Sequence, residues 1–526
     1  MTRLRDVLAD SSRFATLAEI VATRGRQVDD PGQKVAALTE ELADDPRFDA
    51  LSITDNAGGN ATIGPESIGA PLLARGQDVI IHQACKDWNR NGLQSRMWQL
   101  ADTGFDNVLA LSGDYPVTGY AGQAQPVFDI DSVALLQMID DMNAGRLKEN
   151  IHRKKSGPLP DTDLFAGAVV NNYKRHENEV MPQYFKLAKK IRCGARFIIN
   201  QIGFDARKMD ELIHYSVAHQ LDVPFIANVF VLTAPTARFF NGGNIPGVYV
   251  NDELNELAQQ HGKDADKGKA FFLELAAKQC AIARGVGFRG VYLGGHVSAA
   301  DFGRVLDIAA SYGESAWRAF AAELQYAHPS EFYYFEPGDS PGTSSDEVSD
   351  SYRASKTKRA LRRSRRRLVR NYRFSRWTHE VVFTPETLGF RIGRALVKRA
   401  ERSPRRKRRF HRIEQLAKVP VFECRDCGDC SLPDVAYLCP ESQCAKNQRN
   451  GPCGGTRQGT CEVGEKSCIW ARAYDRLKAY GEEEQMLEGP VVIKDGALQG
   501  TSAWTNTFLE RDHHARTTLP GGKSDE

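Results

Sequence analysis

Short apolar runs alternate with longer amphipathic stretches from the start of the chain to about Leu293. The runs, rich in β-branched residues, are Thr16–Val21, Ala50–Thr54, Asp78–His82, Asn107–Leu111, Phe165–Val170, Arg196–Gln201, Pro224–Val229 and Phe288–Leu293. Segments with helical spacing fall between them, among them Gly32–Leu42, Pro65–Ala74, Gly92–Ala101, Asp131–Met142, Glu177–Ile191 and Ala206–His219. Eight strands, each followed by a helix, predict a (β/α)₈ barrel of the α/β class. An open doubly wound sheet is the competing architecture, but no Gly-x-Gly-x-x-Gly follows the first strand. Two connections are long, Gly113 to Asp163 after strand four and Leu232 to Arg284 after strand seven. In a barrel such excursions sit on the carboxyl face, where sites are built.

Polar residues collect where these strands end: Glu19, Thr54 with Asp55, His82, Ser112-Gly113-Asp114, Asn171 with Asn172, Gln201, Asn228 and Gly294-Gly295-His296. Any barrel has polar strand ends, so capping or solvation competes with function at each position. Glu19 is the most informative, because a carboxylate inside Leu17-Ala18-Glu19-Ile20-Val21 is desolvated, which raises its pKa and suits a general acid. A buried Glu paired to a cation is the structural alternative. Asp114 follows a Ser-Gly turn, where backbone approaches a ligand closely.

The chain has 526 residues, 41% hydrophobic and 26% charged, an ordinary globular composition. The most apolar run, Val223 to Ala234, is too short for a membrane helix and contains Asn228. Met1 to Ser12 leads into no apolar signal core, so a cytoplasmic location is expected. Charge is distributed unevenly. Between Arg353 and Arg412 stand 23 Lys/Arg against three acids, a net of +20 in a chain of net +3, which leaves −17 for the remainder. Cysteine is uneven too, with eight of eleven between Cys424 and Cys468. These shifts predict a barrel over 1–337, a basic helical connector over 338–415 opened by a linker at Gly338–Asp350, a cysteine-rich metal-binding domain over 416–510, and a frayed tail over 511–526.

The eight thiols Cys424, Cys427, Cys430, Cys439, Cys444, Cys453, Cys461 and Cys468 point to metal rather than disulfides, because crowded thiolates need positive charge. Cys424-x₂-Cys427-x₂-Cys430 with a later Cys439-Pro440 follows an iron–sulfur spacing, though the fourth cysteine lies farther along. Zinc on paired knuckles is the alternative, and one or two metals fit. In the basic segment, Leu361, Leu368, Val369 and Tyr372 predict an amphipathic helix. A connector docking on an acidic surface, of the barrel or of an electron carrier, is preferred to nucleic-acid binding or a membrane surface.

Four motifs taken together carry a resemblance. Leu51-Ser-Ile-Thr-Asp-Asn56, Ile81-His-Gln-Ala-Cys-Lys-Asp-Trp-Asn-Arg90 with Leu93-Gln94, Asn107-Val-Leu-Ala-Leu-Ser-Gly-Asp114 and Phe197-Ile-Ile-Asn-Gln-Ile-Gly-Phe-Asp205 resemble the methylenetetrahydrofolate reductases in order and spacing. The resemblance implies a barrel holding a flavin, FAD rather than FMN, that moves a hydride between reduced flavin and 5,10-methylenetetrahydrofolate to give 5-methyltetrahydrofolate. It implies that Glu19 protonates folate N10 so that the ring opens to an iminium, and that Asp114 lies beside the flavin pyrimidine. Thr54 and His82 match flavin contacts, Lys190 a phosphate or ribityl contact, and Gln201 a folate contact. Ser112 and Gly113 belong to the same flavin-side turn, but Ser112 replaces the family's usual Arg. Phe239 and Phe240 are the candidates for the aromatic that stacks on substrate.

Cys439-Pro440-Glu441, Cys444 to Gly455 and Cys468-Ile-Trp-Ala-Arg-Ala-Tyr474 resemble the cysteine-rich domain named for its occurrence with these reductases. In acetogens a related polypeptide is a separate partner subunit. With iron–sulfur it implies electrons from a protein donor rather than from NAD(P)H directly; with zinc it is structural. The same fold run as an oxidative methyltetrahydrofolate dehydrogenase, or kept as a non-catalytic scaffold in a complex, are the alternatives. Homo-oligomerisation is compatible with either.

Overall fold

The computed structural model describes residues 3–147 and 157–516. The far end of the expected tail, 517–526, lies outside them. The chain divides into two units, one of Met1–Tyr352 with Gly454–Gln458, the other of Arg353–Cys453 with Gly459–Glu526.

In the first unit eight parallel strands close on themselves in sequence order: β1 (Ala15–Ile20), β2 (Ala50–Ile53), β3 (Val79–Ala84), β4 (Asn107–Leu111), β5 (Phe165–Val170), β6 (Phe197–Asn200), β7 (Phe225–Phe230) and β8 (Gly290–Gly294). The barrel closes where β1 pairs with β8, Leu17 opposite Tyr292. Every expected strand is present. The connections carry α1 (Leu4–Ala9), α2 (Asp30–Asp44), α3 (Pro65–Ala74), α4 (Arg90–Thr103), α5 (Ser132–Asn143), α6 (Glu177–Arg192), α7 (Ala206–Ala218), α8 (Ala234–Asn241), α9 (Asp252–His261), α10 (Lys269–Val286), α11 (Ala299–Ala310) and α12 (Trp317–Glu323). The extra length after β7 is thus helical. Their starts are capped as the sequence requires: Asn89 accepts the Gly92 N–H at 2.9 Å, and Asp131 accepts those of Val133 and Ala134.

Period-two alternation decides what the barrel holds. Leu17, Ala50 and Ile80 form one apolar layer with Leu109, Ile199 and Ile226, closed at the amino end by Leu4, Val7 and Leu8 of α1. Burying each of those three plug residues is worth roughly 1.5–3 kcal/mol at most. Two residues farther along the same strands stand Glu19, Ser52 and His82, so the next layer toward the carboxyl face is polar.

Residues 338–350, expected as a linker, instead fold as part of a hairpin, β9 (Phe335–Pro337) with β10 (Ser344–Val348). Its Ser344 N–H donates to the buried Asp210 carboxylate at 2.6 Å, an anchor that composition does not reveal.

The second unit is helical and then irregular. The basic stretch was expected as one amphipathic helix; it forms two, Lys358–Arg367 and Arg370–Thr378, with Leu368 and Val369 extended between them. Thr357 caps the first helix at the Ala360 N–H, and buried Tyr372 anchors the second. Tyr372 is buried against Tyr480 and Arg476, but Val369 is exposed. Helices Leu388–Glu401 and Pro404–Phe422 follow, and Phe390, Val397 and Phe508 make a small core. Among the described residues no helix is long and apolar enough to cross a membrane.

Candidate functional site

At the mouth of the barrel Glu19 and Tyr292 meet across the β1–β8 seam. The Tyr292 hydroxyl donates to Glu19 Oε1 at 3.1 Å and lies 3.4 Å from His82 Nε2, which is 2.9 Å from Ser52 Oγ. Glu19 is intermediate in exposure, yet its carboxyl is desolvated by the protein around it. This desolvation raises its pKa, and the Tyr292 hydrogen bond only partly opposes it. Burial holds His82 down to about 4, so its ring is neutral near pH 7. Space beside the acid is kept by Gly294, where an added Cβ would lie 3.1 Å from Glu19 Oε2.

The other expected residues sit around the same face. Thr54 Oγ1 accepts the Ala22 N–H at 3.0 Å, tying the end of β2 to the loop after β1. Asp114 Oδ2 accepts the Gly58 N–H at 2.8 Å. Ser112 is buried, its hydroxyl 3.5 Å from that of Ser132. Gly113 has φ +85°, and a Cβ there would meet the Ala84 methyl and the Lys86 side chain, each at 3.0 Å. Lys190 is buried and donates to the Val169 carbonyl at 2.5 Å, locking α6 to β5. Gln201 accepts the N–H of its own neighbour Ile202 at 2.9 Å. Phe240 is buried edge-on to Phe230, with ring centres 5.2 Å apart, while Phe239 is half exposed. Of the two, only Phe239 offers a ring to solvent.

In the second unit the eight clustered thiols separate into two sets. Cys424, Cys427, Cys430 and Cys439 line one cavity with Lys418 and Arg449. The turn Pro433–Val435 and the bonded turn back to Tyr437 return the chain so that Cys439 reaches the first three. Lys418 donates to Cys430 Sγ at 3.4 Å and to Glu414 at 3.0 Å. Burial opposes its charge, but Cys430, Glu414 and Cys424 more than offset this, and its pKa rises. Cys444, Cys453, Cys461 and Cys468 form the other set, each within electrostatic reach of another member. A bridge between Thr460 and Ser467 brings Cys461 and Cys468 together, and the Gln448 and Val463 N–H groups donate to Cys444 and Cys461 sulfurs at 3.4 Å. Burial pushes the Cys427, Cys444 and Cys468 thiols up to about 12, so thiolates there require a cation.

Residues 33–293 match the family described as methylenetetrahydrofolate reductase, and residues 403–496 match the methylene-tetrahydrofolate reductase C terminal domain. The chain belongs to the methylenetetrahydrofolate reductase family. Its barrel and its cysteine-rich domain, both named for that enzyme, are fused in one polypeptide. Among solved structures, a Clostridium thermocellum protein that binds two copies of 5-methyl-5,6,7,8-tetrahydrofolic acid is 14% identical, over 57% of this chain and 95% of that one, with TM-score 0.38. A 2,3-dimethylmalate lyase of the PEP mutase/isocitrate lyase superfamily is 13% identical, over 56% and 80%, with TM-score 0.31. No curated protein matches the chain.

For a member of this family the informative additions are residues that motif reading passed over. Tyr292 is one; its signal is the inward alternation of β8, two positions before Gly294. Ser52 follows from the same alternation on β2. Lys86 is another, a buried cation paired with Asp87 at 2.5 Å and packed against Gly113, beside the turn where the family's usual Arg is Ser112.

Proposed function

We propose that the barrel is a flavin-dependent methylenetetrahydrofolate reductase, interconverting 5,10-methylenetetrahydrofolate and 5-methyltetrahydrofolate with Glu19 as the general acid. The observation that carries this is a family barrel whose Glu19, near the carboxyl end of β1, has its pKa raised and is hydrogen-bonded by Tyr292. Desolvation favours the protonated carboxyl, the form that can give a proton to folate N10. When the proton leaves, the Tyr292 O–H remains to stabilise the carboxylate. His82, neutral and held by Ser52, adds no positive charge that would draw Glu19 into an ion pair.

Bound flavin, FAD in this reading, supplies the hydride. The residues present suit its polar edge: Gly113 opens a turn that a Cβ would fill, and Asp114 is fixed by Gly58. Thr54 and Lys190 brace the strands around that turn, and Lys86 supplies the cation that Ser112 lacks. Gln201 and Phe239 are the residues of this set left to the folate. Phe240, edge-on in the core, supports Phe239.

We also infer a [4Fe–4S] cluster on Cys424, Cys427, Cys430 and Cys439. These four line one cavity, and Cys424-x₂-Cys427-x₂-Cys430 with a later Cys439-Pro440 follows an iron–sulfur spacing. Lys418 and Arg449, lining the same cavity, would offset the negative charge of such a cluster. Electrons then come from a protein donor. Eight clustered thiols serving as metal ligands suit a reducing compartment such as the cytoplasm. The test of the catalytic assignment is Glu19→Gln: turnover of methylenetetrahydrofolate with reduced viologen dye should collapse while flavin content is kept. Unchanged turnover would remove Glu19 from the chemistry.

A further inference from the structure

Beside the thiols, Asp434, His513 and His514 bring three ligand atoms within 4.8 Å of one another. His513 Nε2 lies 3.0 Å from Asp434 Oδ2, and His514 Nε2 lies 3.0 Å from Asp434 Oδ1. Both rings therefore turn the same nitrogen toward one carboxylate. Their other nitrogens face separate carboxylates: His513 Nδ1 is 2.5 Å from Asp429 Oδ1, and His514 Nδ1 is 4.0 Å from Asp512 Oδ2. His513 and Asp429 are buried, and Asp429 is fixed in turn by the N–H groups of His513 and Asp495.

We propose that Asp434, His513 and His514 hold a single divalent cation, zinc by the chemistry of the donor set, in a site distinct from the cysteine cavities. The arrangement is that of a metal-bound histidine, whose distal N–H is held by an outer carboxylate that fixes the tautomer and strengthens the ligand. Two imidazoles and one carboxylate form a borderline nitrogen–oxygen set suited to zinc rather than to magnesium or calcium.

A purely ionic network is the rival, with both rings protonated against the three aspartates. It suffers from one feature of the geometry. The two rings are 4.0 Å apart, centre to centre, at 36°, so two imidazolium charges would lie almost face to face, with the half-buried His379 near enough to feel His514. One dication in place of two protons leaves the cluster's charge at −1 and makes both rings neutral. The cation then replaces a repulsion with two ligand bonds.

Three protein ligands leave a coordination position for water. Asp429 lies between Cys427 and Cys430 in sequence, so the outer carboxylate belongs to the loop that carries the first thiol set. The cation would thus clamp the C-terminal segment at His513 to that loop, across 84 residues of chain.

The test is metal content of the full chain purified without oxygen in zinc-containing medium. The wild type should carry about one zinc in addition to its iron. His514→Ala and Asp434→Asn should each lose that zinc and keep the iron; His514 is 39% exposed, so its replacement should fold. X-ray absorption at the zinc edge of the wild type provides a readout that needs no variant, and a first shell containing imidazole nitrogen is expected. Absence of zinc from the wild type after zinc incubation and desalting would overturn the proposal. So would full zinc retention by both variants, or a first shell of sulfur alone.

Discussion

The Tyr292 hydroxyl stands 3.1 Å from Glu19 Oε1, and the two belong to β8 and β1, the pair that closes the barrel. The acid and its modulator are therefore adjacent only when the barrel is complete. Tyr292 works against the desolvation that raises Glu19. On the proposed mechanism Glu19 acts protonated in the reductive direction, so activity should fall as pH rises through its folded pKa. Tyr292→Phe removes a hydrogen bond that favours the ionised form, worth about 1.5–3 kcal/mol to a charged group. The falling limb of the pH–rate profile should move upward by about one to two pH units. A downward shift, or none, would contradict the pairing.

Glu19→Gln keeps the shape and removes the proton. The loss expected of a positioned general acid is about 10²–10⁴-fold in kcat, with flavin content and melting temperature close to wild type. Rapid-mixing kinetics of the methylenetetrahydrofolate half-reaction check this directly.

His82 is buried and neutral, with its pKa held near 4 against an ordinary 6.5. Below pH 6.5 the unfolded chain takes up a proton that the native ring refuses until about pH 4. Stability should thus decline across that interval, by on the order of 3 kcal/mol from this group. His82→Asn should flatten this part of the curve, measured as denaturation midpoint against pH.

Gly113→Ala places a Cβ at φ +85°, against Ala84 and Lys86. Strain of about 1–3 kcal/mol is expected, together with weaker flavin retention, because the turn is the one that offers Asp114. Flavin released on gel filtration measures the second effect.

The grouping of thiols predicts two classes of cysteine variant. Cys430→Ser and Cys439→Ser should remove the same iron, although the residues are separated by Pro433–Val435 and its turn. Cys461→Ser and Cys468→Ser should spare it. Iron content and the cluster's absorption distinguish the classes.

Much of the barrel is legible in the chain because strand alternation and helix caps are local. Leu17 and Glu19, two positions apart, already announce an apolar layer with a polar one above it. The acid's partner was not legible, since Tyr292 reaches Glu19 across 273 residues and reads alone as one more barrel aromatic. The division of eight cysteines depends on where the turn after Cys430 sends Cys439. Spacing suggested a shared site for the first three and left the fourth open. The hairpin at Phe335–Val348 is set by an interaction beyond its own segment, the Asp210 anchor, and the break at Leu368–Val369 leaves no mark in the arginine pattern, which runs through both helices. His513 and His514 fell in a stretch expected to fray, and their meaning comes only from Asp429 and Asp434.

The most direct test is the absorption spectrum of the full chain purified without oxygen, recorded before and after adding 5-methyltetrahydrofolate. Flavin bands that bleach on addition, over a broad iron–sulfur shoulder, are the predicted result. A colourless protein, or flavin bands that ignore the folate, would contradict the assignment of this barrel as a folate reductase.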